Sequence, residues 1–392
     1  MPTLLLSNFN LHSCYMYQQL TTLIFDLDGV ITSEKKYWNT ARLTVWDLIT
    51  SDSYLGLKNY FDEGEDFLSK LTLVGEKVIS SQFVYELKRR AVNSNWDLTF
   101  FVMSLHLLGI LNGVKANYPE AWSSIFKNPL PIKEELARLR SLLQKNKYNS
   151  TINDAPIARF WEETQLLTGT DVVEYVSLFS EKMLGAKLSY LQPKADLWQL
   201  CYHNFQEWYE TKGNGVLPDE DTILDLESIR LVLQDLRDRY NYTLGIATGR
   251  PRNEVLQPLS QLGLLEYFDQ KRIVTYDEVL AGEAILSRSG NSQKLGKPHP
   301  FVVLKALYPD ENVGVFCSQE FQSLERKYAA YIGDATSDVV AAKQAGCLSI
   351  GVLTGVFGDK MADKQQTMLK DVGCDVILNS VLELPMLLGN NP

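Results

Sequence analysis

With 392 residues, the chain exceeds what one core usually fills, so one large domain carrying a big insertion, or two domains, is the expected organisation. Hydrophobic residues at 45% and charged residues at 22% are globular values that exclude a disordered or collagen-like chain. The balance of 38 Lys+Arg against 48 Asp+Glu leaves a net charge of -10, which opposes general attraction to nucleic acid or to an anionic membrane. The five cysteines (Cys14, Cys201, Cys317, Cys347, Cys374) are scattered and form no Cys-x-x-Cys pair. Neither a disulfide framework nor a zinc site is indicated, and a reducing cytoplasm is the expected location. Leu4, Leu5 and Leu6 are too few for a leader's apolar segment, since Asn8 and Asn10 interrupt the run, and no later run is read as long enough to span a bilayer.

In chain order, Thr22-Leu23-Ile24-Phe25 is a short apolar run that ends in Asp-x-Asp-Gly, the pattern of a buried strand followed by a turn. The stretch from about Glu34 to Asp225 has apolar residues at helical spacing. It predicts helices near Val84–Val92, Leu98–Leu111, Lys133–Leu143, Ala158–Leu167 and Val172–Met183. Beyond it, strands are expected at Tyr242–Ala247, Arg272–Thr275, Tyr328–Ile332, Leu348–Val352 and Asp375–Leu378. Helices are expected at Leu226–Tyr240, Asn253–Leu262, Pro300–Leu307, Ser337–Ala345 and Asp363–Val372, with Gly263 and Gly346 at C-cap positions. Alternating strands and helices imply a Rossmann-like parallel α/β sheet covered on both faces. The expected division is residues 1–33 and 226–392 as the α/β core and residues 34–225 as an all-helical insertion after the first strand. Crossings are expected near Thr32–Glu34 and in the Gly213-Asn214-Gly215-Val216-Leu217-Pro218 loop.

Four segments could carry chemistry. Asp26 and Asp28, two positions apart at a strand end, suit a nucleophile and a proton carrier, although alone they read equally as a turn or a calcium-loop fragment. Thr248-Gly249-Arg250-Pro251 offers a hydroxyl, a glycine amide and a helix start as an anion cradle, or else an ordinary strand-to-helix turn. Arg250 there is a second phosphate contact or a solvated charge. Lys297, in Gly296-Lys297-Pro298-His299-Pro300, is fixed by prolines where an ammonium could neutralise charge on a phosphoryl group. By itself it reads as a surface lysine, and His299 as structural or as a substrate contact. Tyr331-Ile332-Gly333-Asp334-Ala335-Thr336-Ser337-Asp338 adds two carboxylates, of which Asp334 could ligate magnesium with Asp26 while Asp338 caps a helix or assists.

Open α/β sheets place ligands beyond the carboxyl ends of their strands, and the four groups are expected at that edge, on three predicted strands and one loop. Their order resembles the haloacid dehalogenase superfamily of phosphohydrolases, over residues about 20–33 and 226–380. The resemblance implies Asp26 as the nucleophile that forms an aspartyl-phosphate, and Asp28 as general acid and then base. It implies Thr248 and the Gly249 amide around the phosphoryl oxygens, stabilised by Lys297. It further implies Mg2+ held by Asp26, Asp28 (through its main-chain carbonyl) and Asp334, with Asp338 assisting. The helical insertion resembles the cap of the subfamily that carries its cap after the first strand, although it is much longer than the compact four-helix cap usual there. Lys35, Lys36, Tyr37 and Trp38 are candidate substrate contacts in it, or a solvated basic pair beside packing aromatics. The expected activity is hydrolysis of a small phosphorylated metabolite. Mutase or phosphotransferase chemistry is the close alternative, and a non-catalytic binding or regulatory protein the distant one.

Overall fold

The computed structural model describes residues 19–61, 75, 77–92, 94–127, 130–148, 152–213, 216–217, 221–355 and 359–389. Leu4 to Leu6, Asn8, Asn10, Cys14, and Asn214, Gly215 and Pro218 of the expected crossing loop lie outside the described residues. The chain divides into two compact units, Met1–Glu34 with Glu220–Pro392, and Lys35–Asp219.

The first unit is built on six parallel strands, β1 (Thr22–Phe25), β2 (Thr243–Ala247), β3 (Ile273–Val274), β4 (Ala329–Gly333), β5 (Leu348–Val352) and β6 (Val376–Leu378). Their order is β3-β2-β1-β4-β5-β6. All six were legible as short apolar runs because a parallel strand is buried on both faces and loses the polar half of its alternation. Side chains of β1 still alternate. Leu23 and Phe25 join a core with Ile229, Leu233, Leu244 and Ile332, while Ile24 joins another with Phe301, Leu304, Tyr331 and Ala342. Register pairs Phe25 with Ile246 on one side and with Ile332 on the other, so β2 and β4 run one residue past the end of β1. The strand order reverses between β1 and β4. At such a switch point the flanking loops part, opening a crevice beyond the strand ends.

Helices cover the sheet at Leu226–Gln234, Asn253–Gln261, Phe301–Leu307, Thr336–Gln344 and Asp359–Asp371, and a π turn at Asp235–Arg239 continues the first. Gly263 and Gly346 follow their helices at φ +66° and +68°. Sequence reading missed the helix Tyr276–Arg288, and it overextended β3, because Thr275 is the helix cap. The Thr275 and Glu278 capping box was the available signal. The long connection from Tyr308 to Arg326 holds two one-turn helices, Val313–Phe316 and Gln319–Gln322. It is organised by the fully buried Arg326, whose guanidinium donates to the carbonyls of Leu324, Ala345 and Phe321, each at 2.7 Å.

The return crossing falls near residue 220, earlier than the boundary read at 225. The reason is backbone pairing. Ser33 N donates to the Asp221 carbonyl and Ile223 N to that of Ile31, both at 2.9 Å, which fastens residues 221–223 to the segment after β1.

The second unit is helical in its described residues. Its helices are Lys35–Thr50, Ser81–Arg89, Asn95–Asn117, Pro119–Lys127, Ile132–Lys145, Ala155–Glu163, Thr170–Leu184 and Asp196–Glu207, the last continued by a π turn at Trp208–Lys212. Asn95–Asn117 corrects the reading that no run is long enough to span a bilayer. At 23 residues it is long and apolar enough by length and composition, and 83% of its apolar window is buried inside the unit. It packs against Lys35–Thr50, Thr170–Leu184 and Asp196–Glu207 as the central core helix. Lys35–Thr50 had not been singled out, since its threonines are weak helix formers. Buried in place, the hydroxyls of Thr40, Thr44 and Thr50 donate to the carbonyls four residues back, at 2.7, 2.8 and 2.9 Å.

Candidate active site

The end of β1 delivers Asp26, whose amide donates to the Ile332 carbonyl at 2.8 Å and so extends the sheet by one residue. The chain then folds back at once. Ile31 N and Thr32 N both donate to the Leu27 carbonyl at 2.9 Å, and Gly29 turns at φ +74°. A Cβ on Gly29 would stand 2.7 Å from Asp334 Oδ2, and one on Gly355 would overlap the same carboxylate. Glycine at both positions lets two loops close around Asp334. The Thr354 hydroxyl ties them by donating to the Gly29 carbonyl.

Lys297 stands at the centre. Its ammonium lies 2.8 Å from Asp26 Oδ2 and 2.8 Å from Asp338 Oδ1, and it donates to the Tyr331 hydroxyl at 3.2 Å. The three charged side chains are 4%, 2% and 1% exposed, respectively for Lys297, Asp26 and Asp338. Burial opposes the charge on Lys297, but the Asp26 and Asp338 carboxylates outweigh it and hold its pKa well above the usual lysine value. Burial pushes the Asp26 carboxyl upward; Lys297 pulls against this, and the charges of Asp338 and Asp28 add to it. Asp338 Oδ2 accepts from Ala335 N at 3.0 Å, so both oxygens of Asp338 are engaged. Asp26 Oδ1 is different. It is buried and has no hydrogen-bond partner among the described residues.

Carboxylate oxygens of Asp26, Asp334 and Asp338, all buried, lie within 4.8 Å of one another. An all-oxygen set with one unsatisfied carboxylate atom fits a hard divalent cation such as Mg2+, which takes one or two carboxylates and keeps several waters. Gln365 reinforces the set by donating to the Asp334 carbonyl at 2.8 Å and to that of Val352 at 3.2 Å.

Thr248 continues β2, donating its amide to the Val274 carbonyl at 3.0 Å, and its hydroxyl accepts from Arg250 N at 3.3 Å. Gly249 is exposed, and a Cβ there would meet nothing within 4 Å, so its backbone faces open space. Arg250, expected on phosphate or in solvent, is only 3% exposed. Its Nε donates to both Asp28 oxygens at 3.0 Å, and Nη2 to Asp28 Oδ1 and, at 3.1 Å, to Thr32 Oγ1. Nη1 donates to the Glu254 carbonyl at 3.2 Å.

His299 stands apart from this cluster in its contacts. Its Nδ1 accepts from Phe301 N at 3.1 Å, as a cap for the helix Phe301–Leu307, and Nε2 lies 3.0 Å from the Gln293 amide. Lys35 and Lys36 belong to the helical unit, where the Lys36 ammonium sits 4.3 Å from the Tyr209 ring centroid and Tyr37 stacks on the same ring at 5.0 Å.

Two residues in this machinery were not assigned from sequence. Tyr331 donates its hydroxyl to the Ala247 carbonyl at 2.7 Å and stands 3.3 Å from Asp338 Oδ1, joining the ends of β2 and β4 to Lys297. A lone tyrosine in a buried strand was the signal, since its hydroxyl needs a partner. Gln365 carried no such signal.

A family model for haloacid dehalogenase-like hydrolases matches residues 20–346. A phosphoglycolate phosphatase of Photorhabdus laumondii subsp. laumondii is 24% identical over 197 residues, 49% of this chain and 68% of that protein. An X-ray structure from the Northeast Structural Genomics Consortium is 25% identical, with a TM-score of 0.67 over 95% of this chain and 99% of that one.

Proposed function

Since this chain belongs to the haloacid dehalogenase-like hydrolases, we propose that it is a Mg2+-dependent phosphatase that hydrolyses a small phosphorylated metabolite through an aspartyl-phosphate on Asp26. The observation that carries this reading is the asymmetry of Asp26. One oxygen is held 2.8 Å from the Lys297 ammonium, while Oδ1 is buried without a partner among the described residues. An unpaired buried carboxylate oxygen is costly unless a ligand completes it.

In the first step an Asp26 oxygen bonds to phosphorus as the ester P–O bond breaks, and Asp28 gives a proton to the departing oxygen. In the second, a water oxygen bonds to phosphorus, Asp28 takes its proton, and the P–O bond to Asp26 breaks. Inorganic phosphate leaves and Asp26 is restored. The Thr248 hydroxyl and Gly249 amide hold phosphoryl oxygens throughout, and Lys297 offsets their charge. Asp26, the Asp28 carbonyl and Asp334 would hold Mg2+, which supplies further charge neutralisation. Asp338 acts mainly by fixing Lys297. The helical unit, inserted in the chain directly after the Asp26–Asp28 segment, is assigned to substrate selection as a cap, with Lys35 and Lys36 as candidate contacts. His299 is assigned a structural role. The four described cysteines are all free thiols, which suits a reducing cytoplasm.

The test is phosphate release from a panel of phosphorylated metabolites, including 2-phosphoglycolate, with Mg2+. The wild type is expected to turn over at least one, and Asp26→Asn or chelation of the metal to abolish turnover. Activity surviving either would overturn the mechanism. Phosphoryl transfer to a sugar hydroxyl in place of water would move the protein to the mutase or transferase reading.

A further inference from the structure

Asp28 must reach both a leaving oxygen and an attacking water, so its carboxylate needs a defined orientation. The side chain that provides one is Arg250. Two guanidinium nitrogens meet the two Asp28 oxygens, with Nε at 3.0 Å from each. A planar guanidinium gripping a carboxylate in this way fixes its plane as well as its place, which a point charge cannot do. The guanidinium is itself anchored. The Arg250 side chain is 2% exposed against 18% for Asp28, and Nη1 and Nη2 also donate to the Glu254 carbonyl and to Thr32 Oγ1. Thr32 belongs to the tight turn that begins at Leu27, so the same guanidinium ties Asp28 to the far side of its own loop.

Arg250 also follows Thr248 and Gly249 directly. One β2 loop therefore presents the anion cradle with its backbone and orients the proton carrier with its side chain.

We propose that Arg250 is a positioning residue for proton transfer, which acts by holding the Asp28 carboxylate and not by contacting the phosphoryl group. This rests on the reading of Asp28 as general acid and base. The consequence is specific. Loss of Arg250 should matter in proportion to how much the leaving group needs a proton, whereas loss of a phosphate ligand would weaken every substrate alike.

The experiment compares wild type, Arg250→Met, Arg250→Lys, Asp28→Asn and the Arg250→Met/Asp28→Asn double variant on 4-nitrophenyl, phenyl and 4-methoxyphenyl phosphate, with Mg2+. General acid–base assistance is worth roughly 100-fold or more. Arg250→Met is expected to lose about 10- to 100-fold in kcat/KM on phenyl and 4-methoxyphenyl phosphate, and only a few-fold on 4-nitrophenyl phosphate, whose leaving group departs as a stable anion. Arg250→Lys should recover part of the loss. The double variant should be no slower than Asp28→Asn, because both substitutions remove one function. A uniform loss across the three esters, multiplicative losses in the double variant, or a faster Arg250→Met would each overturn the proposal while leaving the phosphatase intact. If Asp28→Asn itself showed no leaving-group dependence, or the wild type released no phosphate, the underlying assignment of Asp28 would fail and the proposal with it. Denaturant unfolding of each variant separates these outcomes from loss of the fold.

Discussion

At the scale of single residues, the site is a chain of buried contacts in which each group limits its neighbour. Lys297 neutralises Asp26 and Asp338, Asp338 is pinned by Ala335 N, and Tyr331 fills the remaining space between lysine and carboxylate. Tyr331→Phe is the cleanest probe, since it deletes one oxygen and keeps the ring. It leaves the Ala247 carbonyl without its 2.7 Å donor and frees the Lys297 ammonium to tilt. A stability loss of about 1–3 kcal/mol is expected from the unpaired carbonyl, together with about a tenfold fall in kcat. Urea unfolding and steady-state kinetics would measure the two, and a silent substitution would remove Tyr331 from the machinery. Asp26, Asp28, Thr248 and Asp334 stood out because each sits in a short segment whose grammar, apolar run then polar turn, marks a strand end, and Lys297 because prolines follow it in a loop. Arg250 was legible as a residue but not in its partner. Sequence separates it from Asp28 by 222 positions, and only the pairing of β1 with β2 brings the two loops together.

At the scale of elements, the helical unit carries a pH dependence of its own. His106, on the central helix Asn95–Asn117, is buried. Its Nε2 donates to the Val78 carbonyl at 3.2 Å and its Nδ1 accepts from the Tyr60 hydroxyl at 3.3 Å, the pattern of a neutral ring. Burial pushes its pKa down from 6.5 to about 4. Between those values the unfolded chain binds a proton that the folded one refuses, so the unfolded state is favoured as pH falls. Stability is full above about pH 6.5 and declines toward pH 4, by about 3 kcal/mol if the whole shift is realised. Urea unfolding at pH 7 and pH 5 should show this slope, and His106→Gln should flatten it. An unchanged slope in that variant would assign the acid sensitivity elsewhere. The strands were read more completely than the helices for a related reason. A buried parallel strand declares itself in four or five apolar residues, whereas Lys35–Thr50 depends on threonine hydroxyls finding carbonyls inside a packed unit.

At the scale of the whole molecule, the sheet order β3-β2-β1-β4-β5-β6 brings the Asp26 loop against the Asp334 loop where the order reverses, and a metal bound there would join the two. A ligand that binds only the folded state stabilises it by about 2.7 kcal/mol at a hundredfold excess over its Kd. Mg2+ should therefore raise the Tm of the wild type, and Asp334→Asn should lose most of that rise. An equal rise in the variant would place the ion elsewhere. The sequence by itself determined the α/β class, the strand-ending carboxylates, the lysine, and the family they resemble, because these depend on local pattern and on residue type. The tertiary structure decided which charges meet. It set Lys297 between Asp26 and Asp338, Arg250 against the Asp28 carboxylate, and His299 Nδ1 against the Phe301 amide. It also buried inside a helical unit the one helix, among the described residues, long and apolar enough for a membrane. These are matters of which distant segments share a neighbourhood, and that depends on strand order and packing, which no local spacing encodes.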